Sequence, residues 1–144
     1  MSVKQISIFV ENKPGTMNEM TQILADHDID MRALSLSETE GFGIIRIIVP
    51  DVVETTSVLK EAGYVCKLTP VVIAEIPDEA GGLNKLLTIF KENHINVEYM
   101  YATLGGNKFK GALMIFRVDD DRRAERALRE KGIQLIGQED IEEM

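Results

Sequence analysis

Apolar positions change period along this chain, and each change marks an element. Ile6-Ser7-Ile8-Phe9-Val10 is β-branched and aromatic, the composition of a strand. Met17, Met20, Ile23 and Leu24 then recur at helical spacing and predict a helix over about 16–27. Thr16 is its expected N-cap, with Glu19 three positions on completing a capping box. Between strand and helix, Glu11-Asn12-Lys13-Pro14-Gly15 is turn chemistry. A second strand is predicted over 31–37. After the turn Glu40-Gly41-Phe42-Gly43 comes a third, over 44–49, then a helix over 52–62 stopped by Gly63, and a short fourth strand over 64–68.

The same order then returns. A strand over 71–75 and the loop Ile76-Pro77-Asp78-Glu79-Ala80-Gly81 precede a helix over 82–93, with Leu83, Leu86, Leu87 and Phe90 on one stripe. Strands over 97–104 and 112–118, a helix over 122–131 stopped by Gly132 and a closing strand over 134–137 complete it. The acidic end, 139–144, reads as a frayed tail.

This return is a repeat in sequence. Gly15 matches Gly81, Met17 matches Leu83, Asn18 matches Asn84, Leu24 matches Phe90 and Ile29 matches Ile95, all 66 positions apart. Val49 and Gly63 match Val118 and Gly132 at 69, so three extra residues enter near Gly105-Gly106-Asn107, as a longer hairpin loop would add them. Two domains follow, 1–69 and 70–144, each β-α-β-β-α-β. Right-handed crossovers place both helices of a copy on one face of an antiparallel sheet. The fold class is α+β, a ferredoxin-like sandwich built twice.

A sheet covered on one face should alternate apolar and polar. Ile44-Ile45-Arg46-Ile47-Ile48-Val49 is apolar on both faces apart from Arg46, and Leu113-Met114-Ile115-Phe116 is apolar throughout. Either the halves share edges or a sheet and also stack between chains, giving a homodimer, or these are central strands buried within one chain. The size of the bare face favours the first reading.

A net charge of −8 argues against nucleic acid and anionic membrane surfaces as partners. No apolar run approaches the ~20 residues of a membrane helix. The N-terminus enters a strand within five residues and leaves no room for a signal peptide. One cysteine, Cys66, precludes an intrachain disulfide, and a cytoplasmic setting is expected. Catalytic candidates are thin. Cys66 reads as a small hydrophobe in an edge strand, and His27 and His94 as helix-end residues. No zinc spacing, phosphate loop, nucleophile elbow or dinucleotide fingerprint is present, so no metal, cofactor or enzymatic activity is expected.

The chemistry lies in the two loops, Asn12-Lys13-Pro14-Gly15-Thr16-Met17-Asn18 and Asp78-Glu79-Ala80-Gly81-Gly82-Leu83-Asn84. Glycine lets a ligand approach the backbone, and the helix start offers N–H groups and a positive dipole end to a carboxylate. Asn18 and Asn84 can add a polar contact, and Asp78 or Glu79 can hold an α-ammonium.

These loops, each followed by an amphipathic helix and by Ile29-Asp30-Met31 or Ile95-Asn96-Val97, resemble the ACT domain over nearly the whole chain. The resemblance implies a regulatory module, without an attached catalytic domain, that binds an amino acid or similar small molecule where two copies meet. Carried onto this chain, it points to Asn12, Gly15, Thr16, Met17 and Asn18, and to Asp78, Gly81, Gly82, Leu83 and Asn84. Ser35, Ser37, Tyr99 and Tyr101 are its second-strand candidates. Copy two has Ala80-Gly81 in place of Pro14-Gly15, which alters the loop's stiffness. The alternative is an interaction subunit that docks onto an enzyme of amino-acid metabolism with no ligand of its own, like the small subunit of acetohydroxyacid synthase.

Overall fold

The computed structural model describes residues 2–105 and 108–144. Of the expected insertion, Gly106 and Asn107 lie outside the described residues. The elements run β1 (Val3–Glu11), α1 (Thr16–Asp26), β2 (Ala33–Thr39), β3 (Phe42–Ile48), α2 (Val52–Glu61), β4 (Val65–Ile76), α3 (Gly82–Glu92), β5 (Val97–Ala102), β6 (Ala112–Val118), α4 (Asp121–Glu130), β7 (Leu135–Ile136) and α5 (Gln138–Glu143).

The first half has strand order β4-β1-β3-β2 and the second β7-β4-β6-β5, all antiparallel. β4 belongs to both. It runs unbroken through Leu68-Thr69-Pro70, where a join between two strands was expected. Pro70 is tolerated there because the ladder changes partner at this point: residues 65–71 pair with β1, and residues 72–76 with β6 and β7. The two halves thus share one seven-stranded sheet among the described residues.

Helices cover one face of each half. Ile6, Ile8, Ile45 and Ile47 pack beneath α1 and α2 with Met20, Leu24 and Leu59. Val72, Ala74 and Phe116 pack beneath α3 and α4 with Leu86, Phe90 and Leu128. The opposite faces turn toward each other. Val3, Ala33 and Ile48 of the first half meet Ile73, Leu113, Ile115 and Ile136 of the second in a third core. The sheet curls far enough for its outer strands to touch: Ala33 forms an antiparallel bridge with Thr103, and the Leu104 amide donates to the Arg32 carbonyl at 2.9 Å. The apolar second face of β6 and the Ile48 end of β3 are therefore covered inside one chain, whereas Ile44 is half-buried and Phe42, at the other end of β3, is exposed.

Two local expectations are corrected. Thr16 is the first residue of α1 and not its N-cap. Gly15 caps in the left-handed region at φ 89°, a backbone only glycine adopts without strain, and no side chain caps α1. The end of the chain is no frayed tail: 138–143 form α5, Ile141 is fully buried in the inter-half core, and the Gln138 amide donates to the carbonyls of Val49 and Pro50.

Candidate functional site

The repeat treats its four long helix starts in two ways. α2 and α4 are capped by acid side chains, the Glu54 amide donating to Asp51 and the Arg123 amide to Asp120, each at 3.0 Å. α1 and α3 start instead on Gly15 and Gly81, at φ 89° and 84°, without any side-chain cap. A Cβ at either glycine would meet no atom within 4 Å, while the first amides of the two helices, of Thr16 and Gly82, donate to the loop carbonyls of Lys13 and Glu79. Gly82 differs: a Cβ there would overlap the carbonyl of Pro77, at the start of the same loop.

Around these openings the expected residues divide. Asn12, Asn18, Asp78 and Asn84 are exposed. Asn12 closes the turn by donating its amide to the Gly41 carbonyl at 3.5 Å. Asn18 lines a shallow groove of about 430 Å³ with Gln22, Ile29, Asp30 and Leu104. Asp78 lines another, about 420 Å³, with Glu75, Lys110, Gly111 and Gln134. Met17 and Leu83 pack on the two helix-side cores and do not face the openings. Thr16 keeps its hydroxyl oxygen buried and without a partner.

The two openings do not face each other within the chain. β1 and β4 are antiparallel, so the loop after β1 leaves near Val65 while the loop after β4 leaves beyond Ile76. A strand of 12 residues at ~3.3 Å per residue separates them.

The second-strand candidates come together elsewhere, on the inner face between the halves. The Tyr101 hydroxyl donates to Gln5 Oε1 at 2.6 Å, and Gln5 Nε2 donates to Tyr99 Oη at 2.8 Å and Ser7 Oγ at 3.0 Å. Arg46 Nη1 donates to Ser37 Oγ at 2.9 Å, and the guanidinium carbon lies 3.8 Å from the Tyr99 ring centre. Ser35 is half-buried beside them, in register with Arg46. Burial, with Tyr99 second, pushes the Tyr101 phenol far above its usual pKa, against the opposing effect of Arg46, so it stays a neutral donor. Gln5, Ser7 and Arg46 were not among the residues expected from sequence, although Arg46 is the one polar interruption of an apolar strand.

Cys66 is half-buried in β4, and burial raises its thiol pKa, which favours the protonated form. Among the described residues, no cluster of three or more His, Cys, Asp or Glu side chains is placed to hold a metal, and no helix is long and apolar enough to cross a membrane.

A doubled βαββαβ unit on one continuous sheet, with a bare glycine helix opening in each copy, defines a tandem ferredoxin-like module. Residues 1–144 match the family model described as an ACT domain pair, and the chain belongs to that family. The crystal structure of protein BT0572 from Bacteroides thetaiotaomicron is 33% identical, with 100% of this chain and 98% of that one covered and a TM-score of 0.91. The regulatory subunit of aspartate kinase from Thermus thermophilus shares the fold at 15% identity, with 92% of each chain covered and a TM-score of 0.65. The corresponding subunit from Thermus flavus does so at 14%, covering 90% of this chain and 92% of that one, with a TM-score of 0.62. No curated protein matches the chain in sequence.

Proposed function

We propose that this chain is a non-catalytic regulatory module that binds a small amino-acid-type ligand at the glycine openings of α1 and α3. One observation carries the reading: duplication kept side-chain caps on α2 and α4 and kept α1 and α3 open. The backbone N–H groups of an uncapped start, at the positive end of the helix dipole, suit a carboxylate. Asn12, Asn18, Asn84 and Asp78 stand exposed beside the openings to meet the rest of the ligand. Membership of the ACT domain pair family and the likeness in fold to aspartate kinase regulatory subunits support a regulatory role. Because the openings leave opposite ends of β4, the surface that faces each one comes from a second copy, and the working unit is a homodimer in the cytoplasm. The 1–69 and 70–144 division is the boundary between the duplicated units, although β4 crosses it.

Thermal-shift measurement against the common amino acids tests this. A ligand at about 100 times its Kd adds ~2.7 kcal/mol of stability. Gly15→Val and Gly81→Val should abolish the shift while circular dichroism stays native. Light scattering should give a dimer. The second reading, docking onto an enzyme of amino-acid metabolism, draws on the exposed apolar side chains Phe9, Phe42 and Val65 at one end of the first half. The absence of a shift with every amino acid, together with an enzyme that co-purifies, favours that reading.

A further inference from the structure

We propose that the inner face of the first half, around Ser7, is a binding site for a small monocarboxylate with an apolar tail, with Arg46 as its counter-ion. This site is separate from the helix openings and stands or falls independently of them.

Register places Ser7 between two cations on one sheet face, Arg46 of β3 on one side and Lys67 of β4 on the other. Among the described residues neither has a carboxylate within 4.0 Å, whereas Arg32, Arg117 and Arg129 pair with Asp30, Glu98 and Glu125. The chain has 24 acidic residues against 16 basic ones, so an unpaired arginine here does not come from a shortage of acids. Arg46 Nε is buried without an acceptor, a costly arrangement for a charged donor.

The neighbouring groups are also short of acceptors. Gln5 is fully engaged, accepting from Tyr101 and donating to Ser7 and Tyr99. The oxygens of Ser7 and Tyr99 accept from Gln5, and that of Ser37 accepts from Arg46, so all three hydroxyls keep a proton to give. The Arg46 Nε, the lysine and three hydroxyl protons lie along this face without an acceptor among the described residues, and an anion supplies what they lack. One layer further out, Phe9 pairs with Ile44 and Val65; Phe9 is 42% and Val65 67% exposed, an apolar bed for a tail.

The fold itself does not require this polar layer. The repeat offsets carry Gln5, Ser7, Arg46 and Lys67 onto Val71, Ile73, Ile115 and Ile136, which are apolar and buried at 0–2% exposure. The second copy shows that this face packs without polar groups; in the first copy Gln5 holds Tyr99 and Tyr101, which leaves Ser7, Arg46 and Lys67 to serve something other than packing.

The test follows the arginine Nε–H signals by NMR while monocarboxylates from acetate to 4-methylpentanoate are titrated in. The Arg46 signal and the Ser7 amide should move, more strongly for 4-methylpentanoate than for acetate, and stay still with neutral 4-methylpentanamide. Arg46→Gln should weaken carboxylate binding by about tenfold or more. Lys67→Gln, at an exposed position that does not threaten folding, should weaken it by a smaller factor. Gly15→Val should leave it unchanged, which separates this site from the amino-acid site. An unmoved Arg46 signal at millimolar carboxylate, undiminished binding by Arg46→Gln, or tighter binding of inorganic phosphate than of any carboxylate would each overturn the proposal.

Discussion

Tyr101 joins the two halves through a single hydrogen bond to Gln5, whose side chain is fully buried. Tyr101→Phe leaves Gln5 Oε1 buried without a donor, and about 1–3 kcal/mol of stability should be lost at neutral pH. The pH dependence has a definite sign. The folded-state pKa lies above the usual 10.0, so the contribution of Tyr101 is complete below pH 10.0 and declines above it, where the unfolded phenol ionises first. Urea unfolding of wild type should therefore show falling stability on the alkaline side, and Tyr101→Phe a shallower fall. The slope that remains belongs in part to Tyr64, whose pKa burial also raises. An equal slope in both proteins would contradict the burial of Tyr101. The loop glycines are told apart in the same way. Gly82→Ala drives a Cβ into the Pro77 carbonyl and should cost ~1–3 kcal/mol through backbone displacement. Gly15→Ala meets no atom and carries only the ~1–2 kcal/mol strain of a left-handed alanine. Denaturant midpoints that placed Gly15→Ala well below Gly82→Ala would reverse this ranking.

At the scale of elements, periodicity made most of the fold legible, because the four long helices and most strands carry their own apolar pattern. The exceptions share a cause in long-range contacts. Pro70 reads as punctuation, yet β1 on one side and β6 and β7 on the other hold a single strand through it. Thr16 and Glu19 spell a capping box, but Gly15 in the left-handed region takes the cap position one residue earlier. α5 has one apolar residue, Ile141, among acids, and no periodic signal can arise from one position. Its place is set by the inter-half core and by Gln138 reaching Val49 and Pro50. The candidate site divides along the same line. Gly15 and Gly81 were readable because they repeat. Gln5 and Ser7 were not, because the inner face exists only once the sheet curls and brings β5 over β1. α5 provides the check. Ile141→Ala should cost about 2–4 kcal/mol in urea unfolding, as for any fully buried aliphatic side chain, whereas a frayed tail would lose almost nothing.

At the scale of the whole molecule, β4 makes two duplicated units one mechanical body. A simple tandem would leave each half its own edge and let the halves unfold separately. Here the strand that closes the first sheet also opens the second, and the curl buries Val3 and Ile48 against Ile73, Leu113 and Ile115. Under the proposed function, a ligand at one end of β4 would act on the packing that positions the other end. Ile73→Ala isolates this coupling. Its side chain is buried in the shared core and belongs by sequence to the second unit. A cavity there should cost about 2–5 kcal/mol. Amide hydrogen exchange should show that loss equally in β3 of the first half and β6 of the second, because global opening is the common route to exchange for both. Protection that fell in β6 while β3 kept its wild-type rate would mean that the halves open independently, and the continuity of β4 would then transmit nothing.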